Sequence, residues 1–159
     1  MRNSPLRMNV HGCLVVWRGK GILLVGESGV GKTTCALEIA RRGGVWVADD
    51  LVVLNAGNDR IPVGTPHEKI MHLAHLRSTG IIDVRTCLPS LRTAPASEIS
   101  VVVELIKKLE KNQEKYLTVG QKLASAGLRT AFVSVRVTAT AGRTVQRILR
   151  CVGRTGRLN

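Results

Sequence analysis

The sequence predicts an α/β fold, a mixed sheet with flanking helices built around a phosphate-binding loop. Three observations carry this. Gly26-Glu27-Ser28-Gly29-Val30-Gly31-Lys32-Thr33 fits G-x-x-x-x-G-K-[ST] residue for residue. An apolar run, Gly21 to Val25, precedes the loop and a helix-forming run follows it, the strand–loop–helix order the motif requires. Further short apolar runs come mostly as neighbours rather than as strict βαβ units, which predicts a mixed sheet. The 159 residues leave room for one hydrophobic core, so a single domain over residues 1–159 is expected.

The elements follow in chain order. Val10 to Val16 alternates weakly and reads as one strand. Arg18-Gly19-Lys20-Gly21 reads as a turn into the loop strand, so these two strands are expected to form a hairpin. The helix from Thr34 to Arg42 is short and stops at Gly43-Gly44. Val45 to Ala48 is a buried strand that ends at Asp49-Asp50; Leu51 to Leu54 continues apolar, and Ala56 to Asp59 is a turn. His67 to Arg77 has helical spacing through Ile70, Leu73 and Leu76, ended by Gly80. Ile81 to Val84 reads as a strand, Pro89 to Ser97 as a loop and Ser100 to Leu105 as a strand. Lys107 to Ala124 is polar and helix-prone. Ala131 to Thr138 sets Val133, Val135 and Val137 against Ser134, Arg136 and Thr138, the pattern of a half-exposed strand. In the last segment Arg143, Arg147, Arg150 and Arg154 share one helix face, with Val145, Ile148, Leu149 and Val152 on the other.

The loop dictates its own chemistry. Gly26, Gly29 and Gly31 let the backbone curl, so that successive N–H groups point at an anion. The helix N-terminus at Thr33 and Thr34 adds positive potential. Lys32 would reach the β- and γ-phosphates, and Thr33 would give a hydroxyl to Mg²⁺. The expected ligands are therefore a nucleoside triphosphate and Mg²⁺. Sixteen residues after Thr33, Asp49-Asp50 ends a strand. A carboxylate in that place normally helps to hold the metal. Neighbours in a strand point to opposite faces, so a bend is needed before both can face the phosphates. One could then take a proton from an attacking hydroxyl while the other serves the metal.

Composition narrows the class. The net charge is +13, and after Glu114 there is no acidic residue, while two lysines and seven arginines follow. The basic helix face suits an acidic protein surface, bound phosphates or simply water. Aromatic residues are only 3%, too few for stacking platforms on single strands, so nucleic acid is a disfavoured partner. No apolar run approaches the ~20 residues that span a bilayer, and the first residues hold no signal-peptide segment. Cys13, Cys35, Cys87 and Cys151 are far apart and form no C-x-x-C; they read as buried thiols of a reducing cytosol. The expected location is cytoplasmic, without membrane contact. His67, Glu68 and His72 form H-E-x-x-x-H, one residue too long for the zinc motif H-E-x-x-H, and His72 with His75 lacks a third ligand.

Taken together, His11-Gly12, the loop, A-L-E-I-A-R-R-G and V-A-D-D resemble the catalytic domain of HPr kinase/phosphorylase. Leu76-Arg77-Ser78-Thr79-Gly80-Ile81-Ile82-Asp83 partly matches that family's second signature, and Val101 to Leu105 resembles the strand after it. The likeness covers about residues 8 to 150, and its combined spacing is specific where any one motif would not be. It implies a fold like phosphoenolpyruvate carboxykinase, a hexameric homo-oligomer, and ATP-dependent phosphorylation of a serine on the phosphocarrier HPr. It also implies that Asp49 is the general base, that Asp50 supports the metal, that His11 lies near the reacting centre, and that Arg77 belongs to a region needed for phosphorolysis. Weighed alone, His11 is an ordinary strand histidine.

The sequence departs from this pattern in places. His75 stands where the family has a metal-supporting Glu, and Ser78 and Thr79 replace Gly and Leu. Of the family's Pro-Val-Arg-Pro-Gly-Arg segment, tied to phosphorolysis and docking, only Gly142 and Arg143 survive. No counterpart of the family's N-terminal domain precedes His11, as expected either of a natural short form or of a trimmed piece of a longer chain. Three other functions compete with the HPr kinase: a kinase of a small hydroxyl compound such as free serine, a catalytically reduced nucleotide-binding regulator and, weakest, a nucleic-acid-coupled ATPase.

Overall fold

The computed structural model describes residues 6–107 and 119–155. Its first strands are β1 (Arg7–His11), β2 (Cys13–Trp17) and β3 (Lys20–Gly26). Helix α1 (Lys32–Arg41) follows, then β4 (Val45–Ala48), β5 (Leu51–Ala56) and β6 (Pro62–Pro66). Next come a hairpin of β7 (Leu73–Leu76) and β8 (Gly80–Asp83), one turn of helix α2 (Val84–Cys87), and the short strands β9 (Arg92–Thr93) and β10 (Ser97–Glu98). The chain closes with β11 (Val101–Ile106), α3 (Val119–Ser125), β12 (Ala131–Arg136) and α4 (Ala141–Arg154).

Six strands form the central sheet in the order β12-β11-β3-β2-β4-β9. β11 runs parallel to both β3 and β12, whereas β2 is antiparallel to β3 and β4, so the sheet is mixed as expected. A second sheet, β1-β5-β6-β10, covers one face. Helices α1 and α4 cover the other. Strand β3 shows why its sequence is apolar throughout: Ile22 and Leu24 pack toward the helices, and Leu23 and Val25 toward the second sheet. All four are buried.

The basic helix appears as read from its periodicity. Val145, Ile148 and Val152 of α4 are buried, Leu149 packs against the core, and Arg143, Arg147, Arg150 and Arg154 are exposed. The loop strand, its hairpin with β2 and the half-exposed β12 also match their expectations.

Two expectations are corrected. The strand expected over Val10 to Val16 is two strands in different sheets, broken at Gly12. A Cβ at Gly12 would stand 2.5 Å from the Leu24 carbonyl oxygen, so only glycine lets the chain cross there. The helix expected over His67 to Arg77 is a single 3-10 turn, Glu68–Ile70, followed by the β7–β8 hairpin. Its i, i+3 apolar spacing is not helical: Ala74 is buried while His75 is exposed on the opposite side of the strand. The helix-prone reading of Lys107 to Ala124 meets α3 at its end, and residues 108–118 lie outside the described residues.

Candidate active site

The site forms where β3 gives way to α1. Gly26, Gly29 and Gly31 have φ of 145°, 80° and 108°, a backbone that other residues rarely adopt. A Cβ on Gly26 would lie 2.6 Å from the Leu105 carbonyl oxygen. Val30 tucks inward, with its N–H on the Glu27 carbonyl at 3.1 Å, while Glu27, Ser28 and Gly29 stay open to solvent. The Lys32 side chain is only 7% exposed. Its Nζ folds back to donate to the carbonyls of Gly26 and Glu27, both at 2.9 Å. Burial pushes this lysine below its usual range, against the opposing pull of Cys13, Asp49 and Asp50. An ammonium on neutral carbonyls at the mouth of an amide cradle is suited to a polyanion.

The two adjacent carboxylates stand in different surroundings. Asp49 is 3% exposed. Its Oδ1 accepts from the Thr33 hydroxyl at 2.9 Å and from the Cys13 thiol at 2.7 Å, and its Oδ2 accepts the His75 backbone N–H at 2.8 Å. Three donors thus fix this carboxylate against the start of α1. Burial, and then the negative charge of Asp49, push the Cys13 thiol well above its ordinary range, so it stays a donor. Asp50 is the bend the sequence required: its φ is 66°, in the left-handed region. Its side chain is 63% exposed, and its Oδ1 lies 3.2 Å from Nδ1 of His11. The Gly12 N–H donates to the Asp50 carbonyl at 3.1 Å, which ties the bend to the β1–β2 break.

Two further side chains reach in from the β7–β8 hairpin. Arg77 donates from Nη2 to the Gly29 carbonyl at 3.1 Å. His75 faces the same space. His11, Ser28, Gly29, Gly31, Lys32, Thr33, Thr34, Asp49, Asp50, His75 and Arg77 enclose a cavity of about 270 Å³. The structure therefore brings His11, the loop, both aspartates and Arg77 together. It does not bring Arg143, which lies on the exposed face of α4 and is not among these lining residues. Cys13 is the contributor the sequence reading passed over as an ordinary buried thiol. Its place directly after His11-Gly12, in the strand paired to the loop strand, was the available signal.

The residues fit a triphosphate with a divalent cation. The amide cradle and Lys32 suit the phosphates. Thr33 and Asp49, already joined, are the natural metal-side pair, and phosphate oxygens commonly complete the coordination of such ions. Among the described residues no group of three or more His, Cys, Asp or Glu is preassembled to hold a metal. Likewise, no described helix is long and apolar enough to cross a membrane.

Comparison with known proteins identifies a family and a fold. The profile of the family "HPr Serine kinase C-terminal domain" matches residues 4–159. The HPr kinase/phosphorylase of Streptococcus thermophilus is 37% identical over 152 residues, covering 92% of this chain and 48% of the relative. That of Limosilactobacillus reuteri is 42% identical over 99 residues, covering 62% of this chain and 31% of the relative. The chain thus spans less than half the length of these two relatives. The solved HPr(Ser) kinase/phosphatase from Coxiella burnetii superposes with a TM-score of 0.72 at 22% identity, covering 95% of this chain and 91% of the other, a likeness of fold.

Proposed function

Because the chain belongs to the HPr serine kinase C-terminal domain family, we propose that it transfers a phosphoryl group from ATP to a serine hydroxyl of an HPr-like phosphocarrier protein. The observation that carries this is the pairing, in one cavity, of a phosphate cradle with two carboxylates in opposite environments. When bound, Mg²⁺ would neutralise charge on the phosphates. The chain's own residues supply the rest. Lys32 and the loop amides hold the phosphates. Asp49 accepts from Thr33 and keeps that hydroxyl's lone pairs turned to the metal side. Asp50, open to solvent and beside His11, is the group placed to take the proton of an incoming alcohol. His11 orients Asp50. This exchanges the roles that the family resemblance suggests for the two aspartates, because a carboxylate only 3% exposed and already accepting from three donors is less open to an incoming proton than Asp50. Arg77 belongs to the phosphate side through its hold on Gly29.

The test is incubation with labelled ATP, Mg²⁺ and HPr, with free serine alongside. Label on the HPr serine is expected. Label on free serine alone would favour the small-molecule kinase. That second reading is favoured by the loss of the docking segment around Thr138 to Ala141. Tight ATP binding without any transfer would indicate a regulator. Homo-oligomerisation is part of the proposal, supported by the exposed apolar side chains Met71, just before the site hairpin, and Ile81, within it. A sedimentation coefficient of a monomer at micromolar concentration would remove that part.

A further inference from the structure

His75 occupies a position in the cavity that the mechanism above leaves unused. Its backbone and its side chain do different things. The backbone N–H is spent on Asp49, at 2.8 Å from Oδ2. Its strand neighbour Ala74 is 1% exposed and packs into the core. Alternation along β7 therefore turns the imidazole the other way, out of the core, and it lines the cavity with Thr33, Asp49, Asp50 and His11. No hydrogen bond or ion pair engages its ring nitrogens among the described residues. The same carboxylate joins His75 to Thr33, since Oδ1 of Asp49 takes the Thr33 hydroxyl at 2.9 Å. A small divalent cation sits about 2.1 Å from each oxygen ligand. A cation on Thr33 is thus one carboxylate away from the root of the imidazole.

We propose that His75 is a nitrogen ligand to the nucleotide-bound divalent cation, and that it shifts the cation preference of this chain away from Mg²⁺ toward borderline first-row ions such as Co²⁺. Mg²⁺ requires oxygen donors in a near-ideal octahedron and keeps its waters, whereas imidazole favours later first-row ions. No group of three or more His, Cys, Asp or Glu is preassembled among the described residues, so phosphate oxygens complete the shell and the cation binds only with nucleotide. The inference rests on the cavity being a nucleotide–metal site. It requires nothing about which alcohol is phosphorylated.

Mn²⁺ with a non-hydrolysable ATP analogue is the spin probe. Electron spin echo envelope modulation of that complex is expected to show imidazole ¹⁴N coupling in the native protein. The coupling should disappear in His75→Glu and persist in His11→Asn, which removes the other imidazole of the cavity. Calorimetric titrations of the same complexes should show the preference for Co²⁺ over Mg²⁺ falling by about tenfold or more in His75→Glu, since even the loss of a partner outside the direct ligand shell costs about 10–100-fold in metal affinity. Bound Mn²⁺ without nitrogen coupling in the native protein overturns the inference. So does coupling that survives His75→Glu or vanishes in His11→Asn. If His75→Glu does not fold, the native and His11→Asn spectra decide between the same outcomes. Failure of Mn²⁺ to bind even with nucleotide would instead overturn the nucleotide reading of the cavity.

Discussion

Replacing Asp50 with Asn isolates the proposed proton acceptor from everything else in the site. Asp50 has φ of 66°, and Asn is the other residue that tolerates this left-handed conformation well, so the backbone bend is kept. The side chain is 63% exposed, which places the expected stability change within about 0.5 kcal/mol. What is lost is the charge and basicity beside His11. A positioned general base contributes roughly 10²–10⁴ in rate, equivalent to about 2.7–5.4 kcal/mol of barrier. Asp49→Asn should behave differently. An amide has one acceptor oxygen, so either the Thr33 and Cys13 donors or the His75 N–H would meet an NH₂ group. Leaving a buried donor unpaired costs about 1–3 kcal/mol, so this variant should lose stability and metal–nucleotide affinity together. The assay is single-turnover transfer from labelled ATP to HPr, with urea melts and nucleotide titrations of each variant. Asp50→Asn retaining its rate within about threefold would refute the assignment, given the size of the general-base contribution. So would Asp49→Asn losing turnover with stability and affinity intact, which would return the proton to Asp49.

Other outcomes follow from the same geometry. Gly12→Ala forces a Cβ to 2.5 Å from a backbone oxygen and should cost about 1–3 kcal/mol in urea melts, with loss of the His11–Asp50 pairing. Ile148→Ala empties a fully buried position under α4 and should cost about 2–5 kcal/mol without changing nucleotide affinity. Alkaline pH should destabilise the fold. Cys35 is pushed up to about 11 by burial from a usual 9.0, and Cys13 is also raised. Folded protein therefore keeps thiol protons that unfolded protein releases, and stability falls as pH rises through 9 to 11, by up to about 1.4 kcal/mol per pH unit per thiol. Lys32, pushed down, works in the opposite direction up to its usual 10.5; because Cys35→Ser removes the raised thiol, that variant should show a shallower alkaline loss in pH-dependent melts.

The sequence was most legible where function confines the chain locally. The loop needs glycines at fixed offsets, so Gly26, Gly29 and Gly31 announced its conformation. The basic helix was legible because α4 packs one face against a core and leaves the other in water, the condition under which 3.6-residue periodicity is pure. The β7–β8 hairpin was hidden. Ile70, Leu73 and Leu76 mimic helical spacing, while the hairpin depends on Gly80 at φ of 80° and on pairing of Ala74 with Ile82, which only the fold reveals. The break at Gly12 was equally silent, since apolar alternation runs on across it while the partner strand changes. The contrast in surroundings between Asp49 and Asp50 lay beyond sequence reasoning. It depends on which of two adjacent carboxylates meets Thr33, Cys13 and the His75 amide, and that is set by a bend in the backbone.

The chain changes layers twice at a single spot, between His11 and Cys13 and again between Asp49 and Leu51. His11 thereby travels with the outer sheet, while Cys13, Asp49 and the anion grip are anchored to the inner one. A small slide of one layer over the other would alter the distance from His11 to the anion without loosening the grip. Under the proposed phosphoryl transfer, substitutions in the outer layer alone would therefore change the room beside His11 for an acceptor.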